Sequence, residues 1–282
     1  MMSLSPVTAV RSVMKRFVRP SDRVVYRAWS GYWFGEPEMR LLAVLCDRER
    51  VAVDVGGHFG IYAYFLMRYA RRCVVLEPNP TQVAWLELAL ARWRARIDIV
   101  PVAASDRDGE ATLRVPKRAR VHDSGLATLE QANHSIGDDV DSVAVATRRI
   151  DGLDLGDVGF MKIDVEGHEL AVLEGARATI ARARPNVQVE AEERHRPGTV
   201  AAVAAFFAQL DYRGFFDEGG GLVPIERFDA DRHQDVAHLP DGQPSSRHRG
   251  GVARGAGRYV NNFVFIPASD LPHLAPRLPL RP

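Results

Sequence analysis

Three acidic residues in this chain of 282 residues stand where short apolar runs end. Asp54, Glu77 and Asp164 each close or follow a run rich in valine, leucine or isoleucine, which is typical of a buried β-strand. Ligands of open α/β sheets bind beyond the carboxyl ends of the strands, so we expect the three carboxylates to surround one cleft. Carboxylates accept hydrogen bonds from hydroxyl groups and attract positive charge, whereas they repel phosphate.

A glycine-rich turn follows the first of these runs, with the sequence Asp54-Val55-Gly56-Gly57-His58-Phe59-Gly60. A strand, a glycine turn, a helix and a second strand that ends in an acid form a nucleoside-binding unit, in which the acid, here Glu77, accepts hydrogen bonds from ribose hydroxyls. The pattern D-x-G-G-x-x-G places an extra carboxylate where a pyrophosphate would be repelled. It therefore favours S-adenosylmethionine over NAD. An NAD-linked oxidoreductase, a non-enzymatic module with this fold and a tight turn in another α/β protein are the alternatives.

Charge and composition narrow the class of protein further. Lys and Arg number 37 and Asp and Glu number 36, and this balance argues against a general nucleic-acid binder. The two cysteines suit a reducing compartment, and no apolar run is long enough to span a bilayer. We therefore expect a cytoplasmic protein with no integral membrane segment. The sequence does not decide whether the protein is a homo-oligomer.

Strand-like and helix-like patterns alternate from residue 51 to about residue 193, and this alternation predicts a mostly parallel sheet with helices on both faces. The predicted strands are 51–55, 73–77, 97–102, 158–163, 186–191, 212–216 and 259–266. The predicted helices are 58–71, 80–94, 167–183 and 199–210. A β excursion is expected at 111–115 and 143–147.

A second dense group of polar residues, Lys162-Ile163-Asp164-Val165-Glu166-Gly167-His168-Glu169, closes a strand and opens a helix. His168 is a candidate general base because the pKa of histidine lies near working pH. Further candidates for this role are Asp164, Glu190, Glu192 and His195. A divalent metal bound by Asp164, Glu190 and His195 is an alternative that such scattered carboxylates do not favour.

These motifs resemble the FkbM family of S-adenosylmethionine-dependent methyltransferases, over roughly residues 50–216 and more weakly near 262–267. The Lys162–Glu169 run is the most specific of them. The other segments that carry the resemblance are 53–60, Leu76-Glu77-Pro78-Asn79-Pro80, Ala103-Ala104-Ser105-Asp106-Arg107-Asp108-Gly109, Asp151 and Leu173-Glu174-Gly175-Ala176. The resemblance implies a class I, Rossmann-like methyltransferase fold, with a seven-stranded sheet whose last strand is antiparallel.

The resemblance also implies roles for individual residues. Asp54 and Gly56 would line the methionine end of the cofactor, and Asp164 would lie near the sulfonium. Ser105 and Asp106 would lie near the adenine. The full set of expected cofactor-binding residues is Asp54, Gly56, Gly57, His58, Gly60, Glu77, Pro78, Ser105, Asp106 and Asp164. His58-Phe59 departs from the family pattern, so His58 either points into the cofactor pocket or caps the helix.

The family resemblance implies a small-molecule acceptor, and we expect O-methylation of a hydroxyl on a sugar or natural product. N-methylation and a lipid-linked glycan acceptor are the alternatives. The expected organisation is an N-terminal helical extension over 1–50, a methyltransferase domain over 51–267 and a proline-rich tail over 268–282. Loops or a lid are expected at 117–140 and 217–258. The aromatic cluster at Tyr26, Trp29, Tyr32, Trp33 and Phe34 is expected to pack on the core, with an acceptor-pocket wall as the alternative.

Overall fold

Strands rich in buried valine and isoleucine form the centre of the molecule, which a computed structural model describes over residues 18–34, 36–116, 127–130, 139–235, 237 and 259–281. In chain order the strands are β1 (Val51–Val55), β2 (Arg72–Leu76), β3 (Ile97–Val100), β4 (Ala103–Ala104), β5 (Gly109–Pro116), β6 (Val140–Arg148), β7 (Val158–Ile163), β8 (Asn186–Glu190), β9 (Tyr212–Asp217), β10 (Leu222–Pro224) and β11 (Asn262–Pro267). Every residue of β1 and β7 is buried, as in a sheet covered on both faces.

The helices lie between the strands and around them. They are α1 (Pro20–Phe34), α2 (Leu42–Leu45), α3 (Ile61–Tyr69), α4 (Pro80–Ala89), α5 (Glu169–Gly175), α6 (Arg177–Ala183), α7 (Thr199–Gln209), α8 (Ala230–His233) and α9 (Leu271–Leu274). Helix α4 begins as its sequence predicts, because the Asn79 side chain accepts a hydrogen bond from the Thr81 amide and Pro80 occupies the first turn. Among the described residues, no helix is long and apolar enough to cross a bilayer.

The main sheet has the strand order β10-β9-β11-β8-β7-β1-β2-β3. Strands β1, β2, β3, β7 and β8 are parallel, and β11 runs antiparallel to both of its neighbours, β8 and β9. This arrangement confirms the predicted class I methyltransferase fold. The sheet has eight strands rather than the expected seven, because β10 pairs with β9 inside a segment that was predicted to be a loop or lid.

A second, three-stranded sheet has the order β4-β6-β5. Strands β5 and β6 pair antiparallel from Gly109 with Thr147 to Pro116 with Val140, so both segments of the predicted β excursion belong to this pair. Residues 127–130 lie beside it, and an isolated bridge joins Arg114 to Thr128. The other residues of the loop predicted at 117–140, apart from 139 and 140, lie outside those described.

The core lies on both faces of the main sheet. On one face, valines and phenylalanines of β1, β7, β8 and β11 pack against α5, α6 and α7. On the other face, Ala52, Cys73 and Phe160 pack against α1, α3 and α4. Val24 and Ala28 of α1 are fully buried, so this N-terminal helix is part of the second layer. The domain boundaries placed at 50 and 267 stay predictions.

The helix predicted over 167–183 is divided into α5 and α6 at Gly175. A Cβ atom at Gly175 would lie 1.9 Å from the backbone oxygen of Ser105, which explains why a glycine ends this helix. We expect Gly175→Ala to destabilise the protein by about 2–3 kcal/mol, because the backbone on both sides must shift. Gly152→Ala is the matched control, since no atom lies within 4 Å of its added Cβ.

Urea denaturation of the two variants measures this difference. Equal midpoints for Gly175→Ala and wild type would show that α5 and the chain at Ser105 are free to separate. A loss of stability in Gly152→Ala as large as that in Gly175→Ala would assign the effect to lost backbone freedom rather than to close packing.

Candidate functional site

A cleft lies at the carboxyl ends of β1, β2 and β7, where ligands of open α/β sheets bind. The lining residues are Val55, Gly56, His58, Leu76, Glu77, Pro78, Val102, Ala103, Ala104, Leu113, Ala127, Leu129, Asp164, Val165 and His168. The cleft thus combines a polar end near Glu77 and Asp164 with an apolar wall from β4, β5 and residues 127–130.

The glycine turn brings the ends of β1 and β7 into close contact. Gly56 has φ +84°, and a Cβ atom there would lie 1.9 Å from the backbone oxygen of Asp164. A Cβ atom at Gly57 would lie 2.1 Å from a methyl group of Val75. Helix α3 starts later than predicted, after Gly60, which adopts φ +75° and ends the turn. Only glycine fits these positions, so the turn lies directly against the end of β7 and against β2.

Glu77 links the glycine turn after β1 to the turn after β2. Its Oε2 accepts a hydrogen bond from the His58 amide at 2.8 Å, and its Oε1 accepts one from the Asn79 amide at 2.9 Å. Burial raises the pKa of Glu77, and the two backbone hydrogen bonds oppose this rise. Each carboxylate oxygen keeps a second lone pair. Glu77 therefore lies in the cleft as a pre-oriented hydrogen-bond acceptor.

His58 also lines the cleft, and its backbone has φ +43°. Burial, opposed by the charge of Asp164 and aided by the Arg27 guanidinium, lowers the pKa of His58 to about 4. The ring is therefore neutral at pH 7. Of the two orientations left open by the sequence, the one that faces the cleft agrees with this position.

Asp54 lies behind the lining of the cleft. Its side chain is 2% exposed, and the Ala63 amide of α3 donates a hydrogen bond to it. Burial raises the pKa of Asp54 to about 7, although the Lys162 ammonium lowers it. Its Oδ2 has no hydrogen-bond partner among the described residues. Direct contact between Asp54 and a cofactor stays a prediction.

Lys162 is a buried charged residue next to the cleft residue Asp164, and the sequence assigned it no role. Its side chain is 1% exposed, and its Nζ lies 3.5 Å from Asp164 Oδ2 and 3.7 Å from Glu190 Oε2. Burial lowers the pKa of Lys162, but these carboxylates raise it above its usual value. A lysine within the otherwise apolar run Val158–Ile163 was the available signal, because an ion in a buried strand needs partners.

A chain of polar side chains continues from this group across the sheet. The Gln188 amide nitrogen donates to the Tyr62 hydroxyl and to Asn262 Oδ1, both at 2.8 Å. The Tyr62 hydroxyl in turn donates to Glu36. Helix α3, strand β8, strand β11 and the segment after α1 are therefore joined at the carboxyl edge, next to the lysine.

His168 lies at the apolar end of the cleft, hydrogen-bonded on both ring nitrogens. Its Nε2 lies 3.0 Å from Ser105 Oγ, and its Nδ1 lies 2.6 Å from Glu130 Oε1. The hydrogen bond from His168 lowers the pKa of Glu130, against the opposing effect of burial. Ser105 Oγ also donates to Asp106 Oδ1 at 3.2 Å. Glu130, in the loop predicted at 117–140, was not anticipated.

Glu192 and His195 belong to a separate cluster. Glu192 is 1% exposed and accepts hydrogen bonds from Arg194 at 2.5 and 2.7 Å and from the Tyr259 hydroxyl. Burial raises the pKa of Glu192, but Arg194 and its hydrogen bonds bring it below the usual value. Burial lowers the pKa of His195 to about 4, and its Nε2 lies 3.2 Å from Glu166 Oε2. The structure does not bring these two candidates to the cleft lining.

Across the described part of the chain, no three His, Cys, Asp or Glu side chains are grouped so that they could hold a metal ion. The set considered from the sequence, Asp164, Glu190 and His195, is therefore not assembled as a metal site. Glu190 instead accepts a hydrogen bond from the Asn261 amide at 2.5 Å. Burial, followed by the charge of Asp164, raises the pKa of Glu190 well above its usual value.

Comparison with known families gives one domain match. A family model described as the methyltransferase FkbM domain matches residues 54–214. The matched region begins at the acid of the glycine turn and ends within β9, so it contains all the lining residues of the cleft. No curated protein sequence matches the chain.

Several solved structures are similar at low identity. Methyltransferase FkbM from Methylobacillus flagellatus KT has 20% identity and a TM-score of 0.43, over 61% of this chain and 40% of that one. An S-adenosylmethionine-dependent methyltransferase from Aquifex aeolicus has 12% identity and a TM-score of 0.37, over 72% and 94%. TrmK of M. capricolum, in complex with S-adenosyl-homocysteine, has 8% identity and a TM-score of 0.36, over 65% and 63%. The chain thus spans less than half the length of the Methylobacillus protein.

Proposed function

The chain belongs to the FkbM methyltransferase family, whose model matches more than half of it, and from this premise we propose that it methylates a hydroxyl group of a sugar or natural-product small molecule. S-adenosylmethionine dependence follows from the family. The observation that supports a hydroxyl acceptor is the carboxylate of Asp164, which lines the cleft beside the buried Lys162 ammonium. A hydroxyl acceptor has a proton to lose, and this carboxylate is a group that can take it.

The residues of the cleft fit S-adenosylmethionine by their chemistry. Glu77 offers two carboxylate oxygens with free lone pairs, which suit the two ribose hydroxyls. Gly56 lines the cleft at the end of β1 and adds no side chain to it. The apolar side chains of Leu113 and Leu129 suit the faces of an adenine ring. When bound, the cofactor supplies an electrophilic methyl group on a sulfonium.

Asp164 is the proposed base, and Lys162 and Glu190 lie beside it. Burial raises the pKa of Glu190 well above its usual value, and Asp164 is the more exposed of the two acids, with a side chain that is 33% exposed against 15% for Glu190. The Asp164 carboxylate would accept the proton that the acceptor hydroxyl loses when it is methylated. Lys162 is a positioning residue in this scheme, because its ammonium lies 3.5 Å from Asp164 Oδ2.

His168, the base candidate favoured by its residue type, is less suited to that role. Both ring nitrogens are engaged, by Ser105 and by Glu130, so neither is free to receive a proton from an acceptor. We infer that His168 instead fixes the wall formed by residues 127–130 against the start of α5. Its role as a base stays a prediction that a comparison of His168→Ala with Asp164→Asn turnover would test.

Calorimetric titration of the purified protein with S-adenosylmethionine, S-adenosylhomocysteine and NAD tests the cofactor. We expect micromolar binding of both adenosyl compounds and none of NAD. Binding of NAD alone would reject the cofactor and favour an oxidoreductase. Once binding is established, formation of S-adenosylhomocysteine with panels of polyhydroxylated compounds and of amines tests the acceptor. Turnover with amines alone would reject the hydroxyl acceptor and leave the methyltransferase intact.

A further inference from the structure

Helix α1 carries an exposed row of aromatic side chains. Tyr26 is 75% exposed, Trp33 59% and Trp29 37%, and these positions follow one stripe of the helix surface. On the opposite side, Val24 and Ala28 are fully buried against the core. The helix is therefore anchored to the domain by one face and presents an aromatic face to solvent. We call Tyr26, Trp29 and Trp33 the aromatic ridge.

Charge is distributed unevenly along the chain around this ridge. The first 35 residues hold six basic side chains and one acidic one, whereas the rest of the chain holds 31 basic and 35 acidic ones. The single acid, Asp22, lies 3.7 Å from the Arg92 guanidinium, so a further arginine offsets it. A nearly neutral protein therefore has a positively charged N-terminal part and a slightly negative remainder.

Helix α1 also reaches residues that lie next to the cleft. Arg27, on the same helix, places its guanidinium 4.0 Å from the centre of the Phe59 ring, next to the cleft residue His58. The chain that leaves the helix reaches Glu36, which accepts the hydrogen bond from Tyr62 near Lys162. Helix α1 and the segment after it therefore contact residues next to the carboxyl edge of the sheet, through side chains other than those of the ridge.

We propose that the aromatic ridge docks the protein on the surface of an anionic membrane. Tyrosine and tryptophan favour the headgroup region, where an apolar ring and a polar N–H or O–H group are both satisfied. Arginine and lysine attract anionic lipids, and the first 35 residues carry a net positive charge. Helix α1 would lie along the surface without crossing it, which agrees with its length of 15 residues.

Vesicle sedimentation of the full chain tests this proposal, and it needs neither cofactor nor acceptor. The probes are vesicles of phosphatidylcholine alone and vesicles with about one third phosphatidylglycerol. We expect the protein to sediment with the anionic vesicles and to remain free with the neutral ones. High salt should release it, because the basic residues supply part of the attraction.

Tyr26→Ser combined with Trp33→Ser tests the ridge itself. We expect a decrease of about tenfold or more in partitioning to anionic vesicles, since binding scales with buried apolar area. Arg19→Gln tests the basic contribution. Arg182→Gln is the matched control for loss of one exposed arginine, because it lies on α6, which packs on the opposite face of the sheet. Circular dichroism should report the same fold for all variants.

Three results would overturn the proposal. The first is an absence of sedimentation with either vesicle. The second is sedimentation that the ridge variant leaves unchanged. The third is a dimer in solution that the ridge variant dissociates, because the ridge would then be covered by a second copy of the chain. Failure of the cofactor titration would not affect any of these outcomes.

Discussion

Replacement of Lys162 by methionine is expected to destabilise the protein by about 3–5 kcal/mol, the cost of removing one partner from a buried group of charges. The ammonium lies 3.5 Å from Asp164 Oδ2 and 3.7 Å from Glu190 Oε2, and the side chain is 1% exposed. Methionine fills the same space but leaves these carboxylates and Asp54 without their cation. Chemical denaturation at pH 8 measures the loss.

The loss should be smaller at pH 5 than at pH 8. Asp54 already has a pKa of about 7 in the folded protein, above the value near 3.9 of an unfolded chain. Because the folded protein holds this proton more tightly than the unfolded chain does, the free energy of unfolding decreases as the pH rises between those two pKa values. Without Lys162 the pKa of Asp54 in the folded protein rises further. The variant should therefore regain stability as the pH falls and the carboxyl groups bind protons.

A double-mutant cycle separates charge from packing. We expect Lys162→Met combined with Glu190→Gln to be more stable than the sum of the single losses predicts, since the second change removes one uncompensated carboxyl group. Additive losses would mean that Lys162 and Glu190 do not interact. A Lys162→Met protein as stable as wild type at pH 8 would exclude an ionised lysine at this position.

Replacement of Glu77 by alanine is expected to weaken S-adenosylhomocysteine binding by about 1–3 kcal/mol, or roughly five- to 150-fold. The carboxylate accepts from the amides of His58 and Asn79, so its removal frees both the glycine turn and the turn after β2. It would also remove the proposed acceptor of the ribose hydroxyls. Calorimetric titration measures the change, with Glu110→Ala as a control for loss of an exposed carboxylate.

A ligand that lacks one hydroxyl distinguishes direct contact from disorder of the turns. The 2′-deoxy analogue of S-adenosylhomocysteine should bind wild type more weakly than the parent compound does. In Glu77→Ala the two ligands should differ less, because the partner of that hydroxyl is gone. If the variant keeps the full wild-type preference, Glu77 acts only through the turns. Unchanged affinity for the parent compound would reject the assignment altogether.

The strands at the centre of the sheet were predictable from residue type. Continuous valine-rich runs, such as Val51–Val55, are buried on both faces in any parallel sheet, so neither a register nor a partner has to be known to recognise them. Strand β10 was not predicted, because its residue types alone do not indicate a strand. Its three residues follow three glycines, and only pairing with β9 makes them a strand.

Prediction of the site was limited by contacts between distant parts of the chain. The acids at strand ends were recognisable because topology alone gathers them, and Glu77 and Asp164 both line the cleft. Glu130 was not recognisable from the sequence, because its contact with His168 depends on how residues 127–130 fold back beside β5. Asp54 satisfies the pattern but faces α3, and a one-residue step along a strand reverses the face of a side chain.

Strand β11 lies between β8 and β9, although it is the last strand in the chain. During translation, β8 and β9 therefore emerge from the ribosome before the strand that separates them. Until residues 262–267 follow, the edges of β8 and β9 are free to pair wrongly or with another nascent chain. A ribosome stalled before that point would hold an open sheet at the strand that carries Glu190. The sheet beside the strand that carries Glu190 is thus completed only after β11 has been synthesised.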